Sequence, residues 1–261
     1  MFVVHRIKLL SRTHTVRARF GRPLLFTAAG SALGIAYAVQ HTPTIHLDAA
    51  AAAVEDTESD PATSITFPKT LRIPSKFPLP TFTLVGVGVR TVSFLGLKVY
   101  SVGFYADLSN PKLNIPLTAT PEEKIDYIVR NTACVLRIVP TRNTSYSHLR
   151  DGFTRALTIR VQLAKSRDAL TPETELAIQS PLRKLKSLFP NSAVTKGTPV
   201  DILLTAPTSD KKHPRTLVFR DLGAVESDWV AEQFVLAYFE GDGISPALKK
   251  VTWERLKTFG T

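Results

Sequence analysis

Apolar residues along this chain repeat with two different periods. From Leu84 to Leu108 the sequence LVGVGVRTVSFLGLKVYSVGFYADL is dense in β-branched and aromatic residues, which suit a pleated, half-buried surface. Gly86, Gly88, Gly96 and Gly103 interrupt it. Glycine inside a strand pattern marks a turn, a bulge or a close approach by another group. The stretch therefore predicts strand structure. Ala133 to Val139 predicts a further strand. Val200, Ile202 and Leu204 alternate onto one side, and Leu217 to Arg220 follows a polar turn, so this pair predicts a hairpin.

Elsewhere the period is that of a helix. Thr120-Pro121-Glu122-Glu123 is a helix start, with an N-cap threonine, a proline at the first position and acids in the first turn. Ile125, Ile128 and Val129 form its inner face. Leu149, Phe153, Ala156, Leu157, Val161 and Ala164 recur at helical spacing from near Ser145 to Lys165. Thr171-Pro172-Glu173 opens another helix, which Pro181 is expected to interrupt or kink and Pro190-Asn191 to stop. Ser227 caps a segment bearing Trp229, Val230, Phe234 and Tyr238. Ser245-Pro246 starts the last helix, with Leu248, Val251 and Leu256 inward. Strands followed by helices predict an α+β domain, an antiparallel sheet covered by helices.

The N-terminal third follows neither period. Residues 1–22 hold six Lys or Arg and no acid, the composition of a mitochondrial targeting segment. Residues 23–39, PLLFTAAGSALGIAYAV, carry no charge. As a helix they span about 26 Å, the lower limit for a thin bilayer. The expectation is a transit peptide followed by a single transmembrane anchor. The apolar core of a secretory signal and a segment lost by cleavage remain alternatives. Residues 40–66 hold five acids and no Lys or Arg, and are expected to be a disordered linker. Residues 67–261 are expected to be the folded domain. Positive charge stays inside, which predicts an inner-membrane protein with its domain in the intermembrane space.

The chain's net charge is +11. The basic leader and the acidic linker nearly cancel, so the excess belongs to the domain. It is spread along the sequence without an RNA-binding aromatic signature. This predicts a solvated basic surface and no nucleic-acid partner, with anionic lipid as the secondary option. Cys134 is the lone cysteine, so there is no disulfide framework and no cysteine zinc site. The six histidines show no metal-ligand helical spacing, and no metal is expected. The dinucleotide fingerprint fails after Gly88, and neither a P-loop nor a Gly-x-Ser-x-Gly elbow is present. Arg90 stands alone among apolar residues. A buried guanidinium needs an acidic partner, from the protein or from a ligand; a strand-end arginine facing water is the plainer alternative.

Gly86-Val87-Gly88-Val89-Arg90 followed by Gly103-Phe104-Tyr105 resembles the signature of the chalcone isomerase family. The resemblance extends over about Thr81 to Thr261. The whole chain looks most like the fungal mitochondrial branch, the altered inheritance of mitochondria proteins with a chalcone isomerase domain. It implies an open-faced β-sandwich. In the family an arginine holds the substrate oxyanion, a threonine and a tyrosine stabilise the developing enolate, and a lysine, an asparagine and a late Ser/Thr complete the pocket. Here Arg90 matches the arginine and Tyr146 the tyrosine. The threonine position holds Tyr100, the lysine position Leu149 and the asparagine position Phe153. The late hydroxyl falls near Ala237 or Tyr238.

Two polar positions of that site are thus apolar here. The resemblance implies a non-catalytic mitochondrial binder of an amphipathic anion, a fatty acid or haem, held by Arg90, Tyr100 and Tyr146 with Leu149 and Phe153 beside them. His148 is the nearest candidate axial ligand if haem is the cofactor. The alternatives are an isomerase using Arg90, Tyr100 and Tyr146 catalytically on an unknown substrate, and a structural interaction module with a vestigial pocket.

Overall fold

The computed structural model describes residues 56–92, 95–208 and 213–260. The basic leader, the apolar segment of residues 23–39 and linker residues 40–55 lie outside the described residues.

Seven strands form one antiparallel sheet. In spatial order they are β11 (Gly223–Glu226), β10 (Thr216–Phe219), β9 (Val200–Leu204), β6 (Cys134–Pro140), β5 (Leu97–Ala106), β4 (Phe82–Val92) and β3 (Thr70–Leu71). Two short pairs lie apart from it, β1 (Thr57–Ser59) with β2 (Thr66–Pro68) and β7 (Thr144–Ser145) with β8 (Ala193–Val194). The helices are α1 (Pro121–Asn131), α2 (Tyr146–Ser166), α3 (Pro172–Ser187), α4 (Asp228–Leu236) and α5 (Pro246–Leu256).

Alternation along β5 divides the core. Tyr100, Val102, Phe104 and Ala106 join the cluster that packs under the helices. Tyr105 turns to the opposite face, with Phe67, Leu71, Phe82 and Leu84. That second face is covered by the segment carrying β1 and β2. Phe67 is fully buried there, and a Cβ on Gly103 would lie 2.8 Å from its ring. Gly103 is therefore glycine because an aromatic ring lies on the strand.

This corrects the expected linker of residues 40–66, which ends earlier. Glu58 pairs with Phe67 across β1 and β2. Asp60 is buried, and its carboxylate accepts from Ser101 Oγ at 2.6 Å, Thr63 Oγ1 at 2.9 Å and the Ala62 amide at 3.0 Å. Acidic composition implied a solvated stretch, but three donors make this burial tolerable. Pro181 does not interrupt α3, which runs through it as one helix. The proline removes one helical hydrogen bond, but the carbonyl it frees belongs to Ala177, which is exposed to water.

Helix ends follow local chemistry. Thr120 and Glu123 form a reciprocal capping box at α1. The Thr120 backbone amide and hydroxyl hold the Glu123 carboxyl below its ordinary pKa. Two buried cations satisfy helix C-termini. Arg215 donates to the carbonyls of Val129, Arg130 and Thr132 at the end of α1. Lys124 donates to those of Leu256, Lys257 and Phe259 at the end of α5.

Candidate functional site

A strand with period two puts Gly86, Gly88 and Arg90 on one face. The two glycines admit α5. A Cβ on Gly86 would lie 2.2 Å from Thr252 Oγ1, and one on Gly88 would lie 2.2 Å from the Leu248 amide nitrogen. The N-cap of α5, Ser245, is buried and donates from Oγ to the Val89 carbonyl at 2.8 Å. The helix therefore begins against β4 one residue before Arg90.

Arg90 is half-buried. Tyr100 stands directly opposite it in the β4–β5 ladder. Arg90 Nη1 donates to Tyr100 Oη at 3.2 Å, and the guanidinium carbon lies 5.6 Å from the Tyr100 ring centre. Tyr100 Oη shares a 2.8 Å hydrogen bond with Tyr238 Oη. Both tyrosines are buried. Burial works against the Arg90 charge, but the oxygens of Tyr100 and Tyr238 outweigh it and leave its pKa raised. Burial, then Tyr100, pushes the Tyr238 hydroxyl well above the usual phenol range. Near neutral pH the site is therefore one cation backed by a neutral Tyr238.

Among the described residues no carboxylate pairs with Arg90. Asp151 is nearby but pairs with Arg150 at 2.9 Å. Two clefts open beside the guanidinium, of about 300 Å³ and 590 Å³; Arg90, Gly152 and Arg155 line both. The smaller one adds Tyr100, Arg142, His148, Leu149 and Asp151, among others. Arg142 and Arg155 are exposed. A third cavity, of about 680 Å³, shares Arg160, Glu240 and Gly241 with the larger cleft and is also lined by Arg130 and Lys249. Arg130 pairs there with Asp126 at 2.8 Å and Arg160 with Glu240, while Lys249 Nζ donates to the Gly241 carbonyl at 2.8 Å.

The profile of the family described as chalcone isomerase like matches residues 80–121 and 118–253. The chain belongs to the chalcone isomerase-like family. An uncharacterized protein of Schizosaccharomyces pombe is 32% identical over 125 residues, 41% of this chain and 44% of that protein. The chain thus spans less than half the length of that relative. Altered inheritance of mitochondria protein 18, mitochondrial, of Lachancea thermotolerans is 24% identical over 212 residues, 68% of this chain and 67% of that protein. The crystal structure of an Arabidopsis thaliana fatty-acid binding protein superposes with a TM-score of 0.57 at 17% identity, covering 77% of this chain and 98% of that one. This likeness is one of fold.

The structure gathers only some of the residues expected from the chalcone isomerase pattern. Arg90, Tyr100, His148 and Leu149 line one cleft. His148 is exposed, with Nδ1 3.4 Å from Thr144 Oγ1. Tyr146 begins α2 and packs half-buried against the core; it lines neither cleft. Phe153, one turn beyond Leu149, is buried among Phe234, Phe189 and Phe219, with ring centres 5.0, 5.9 and 6.2 Å away. It belongs to the core.

Sequence reasoning missed Arg142, Gly152 and Arg155. A lone glycine in a helical pattern was the available signal for Gly152. Tyr238 lies where the count toward Ser245-Pro246 placed the family's late hydroxyl. Among the described residues no group of three or more His, Cys, Asp or Glu could hold a metal. Cys134 is buried, and burial pushes its thiol up to about 12, so it offers no nucleophile near neutral pH.

Proposed function

We propose that this chain is a non-catalytic mitochondrial binder of an amphipathic carboxylate, with a fatty acid as the first candidate. The observation that carries this is the state of Arg90. It is a half-buried guanidinium bonded to a phenol and, among the described residues, to no carboxylate. Such a group gains most from a ligand anion. Tyr238 can donate to Tyr100, which frees the Tyr100 proton to point at the same anion. Arg142 and Arg155 add positive potential at the mouth. The fatty-acid binding protein of like fold supports this ligand class, and the mitochondrial names of the relatives support the compartment. The basic leader and apolar segment make the inner membrane, with the domain in the intermembrane space, the placement we infer.

Haem is the second occupant in this reading. Its propionates would meet Arg90 and Arg155. His148 is exposed on the rim of a 300 Å³ cleft, so a macrocycle would lie across the mouth rather than inside. An isomerase is less well supported. Leu149 and Phe153 supply no donor to a developing oxyanion, and Tyr146 lies outside the clefts.

The test is to purify the full chain and its Arg90→Gln variant and identify what each carries, by mass spectrometry of an organic extract and by visible absorption. Fatty acid in the wild type, lost in the variant, is the expected result. A Soret band lost in the variant would select haem instead. Empty wild-type protein that binds no added carboxylate would overturn the proposal.

A further inference from the structure

Accepting the carboxylate reading, we propose that the ligand's apolar tail lies along the outer surface of α2, in the 590 Å³ groove between that helix and residues 237–244, rather than inside the domain. The inward route from Arg90 is closed. Tyr100 and Tyr238 are buried and bonded to each other. Behind Leu149 the space is filled by Phe153, Phe189, Phe219 and Phe234 in mutual edge and tilted contact.

The outward route is open and continuous with the head site, because Arg90, Gly152 and Arg155 belong to both clefts. From there the groove is lined by Ala156, Ile159, Leu163, Ala237 and Ile244. Ile159 is 65% exposed, a large aliphatic side chain left in water in the middle of the groove. From Gly152 to Leu163 the helix runs about 16 Å, enough for a medium acyl tail or for most of a longer one.

Charge along the groove has the polarity of such a ligand. Arg90 and Arg155 stand at one end with no carboxylate partner among the described residues. At the other end Glu240 pairs with both Arg160 and Arg167, the latter at 3.1 Å, and Asp242 also lines the groove. An anionic head at Arg90 and an uncharged tail over Ile159 and Leu163 match this distribution, because Glu240 already engages the cations at the far end.

The experiment is calorimetric titration of octanoate and palmitate into the full chain, with wild type, Arg90→Gln, Ile159→Asp and Ile159→Leu compared. Ile159 is on the surface, so its substitution leaves the core intact. Arg90→Gln is expected to lose both ligands. Ile159→Asp is expected to weaken palmitate by about tenfold and octanoate by less than about twofold, with Ile159→Leu close to wild type. Unchanged palmitate affinity in Ile159→Asp, with loss in Arg90→Gln, would overturn the groove and leave the head site standing. Equal weakening of both chain lengths would also overturn it. Failure of the wild type to bind either acid would remove the carboxylate reading and the groove together.

Discussion

A Cβ placed on Gly152 would lie 3.4 Å from Nη1 of Arg90, with the other guanidinium atoms its next nearest neighbours at 3.8 and 3.9 Å. The helix thus gives up a side chain where the cation rests against it, and the two clefts meet over that gap. Glycine inside a helix costs about 1 kcal/mol relative to alanine. Gly152→Ala should therefore raise unfolding stability by about 1 kcal/mol in urea titration. The methyl group narrows the seat of the carboxylate, so affinity for a fatty acid should fall several-fold in the same variant. A gain in stability with unchanged affinity would show that the ligand does not use this gap.

The pair Tyr100 and Tyr238 gives the site a pH signature. The Tyr238 hydroxyl titrates well above the usual phenol range, through burial first and its neighbour second. The folded state thus holds a proton that the unfolded chain releases near pH 10. This contribution is fully present below about pH 10 and is lost as pH rises toward the folded value. Tyr238→Phe should cost about 1 kcal/mol at neutral pH, for the lost buried hydrogen bond. It should also flatten the decline of stability above about pH 10. Urea midpoints measured across that range in both proteins check the sign; parallel declines would contradict it.

Much of the frame was legible because its signals are local. The strand character of β4 and β5 follows from composition, and the start of α1 from its N-cap threonine, its proline at the first position and its first-turn acids. Arg90 stood out because a lone cation in an apolar strand needs a partner. What was not legible depends on partners far away in sequence. Asp60 reads as part of a solvated acidic stretch until Ser101, 41 residues on, meets its carboxylate. Tyr146 is adjacent in sequence to the cleft residues His148 and Leu149, but its place at the first position of α2 turns it toward the core. Phe153 follows the inward stripe of that helix, and which phenylalanines it meets is a matter of tertiary packing.

Lys124 tests the frame away from the site. Its side chain is buried and its Nζ donates to three carbonyls, at 3.0, 3.3 and 2.6 Å. Lys124→Met keeps the apolar stem and leaves those acceptors at the end of α5 without their cation. A loss of about 3 kcal/mol in unfolding free energy is expected. Affinity for a carboxylate should be unchanged under conditions where the variant is folded, because Arg90 lies beyond the other end of α5. Loss of binding at full folding would mean that α5 transmits the change to β4.

Phe153 separates the binder reading from the isomerase reading. The resemblance places an asparagine there in the chalcone isomerases. In this chain the position touches Phe234 at 5.0 Å and Phe189 at 5.9 Å, in a cluster that also holds Phe219. Phe153→Asn would remove an aromatic ring and bury an amide among rings that offer it no partner. The ring's loss alone costs about 3 to 5 kcal/mol, and the unsatisfied amide adds to it. The variant should unfold at markedly lower urea and show no turnover of a chalcone panel followed by absorbance. Phe153→Leu, which keeps the site apolar, should lose much less and retain ligand. If Phe153→Asn were instead folded and active, the position would lie in the pocket, and the assignment of this side chain to the core would be wrong.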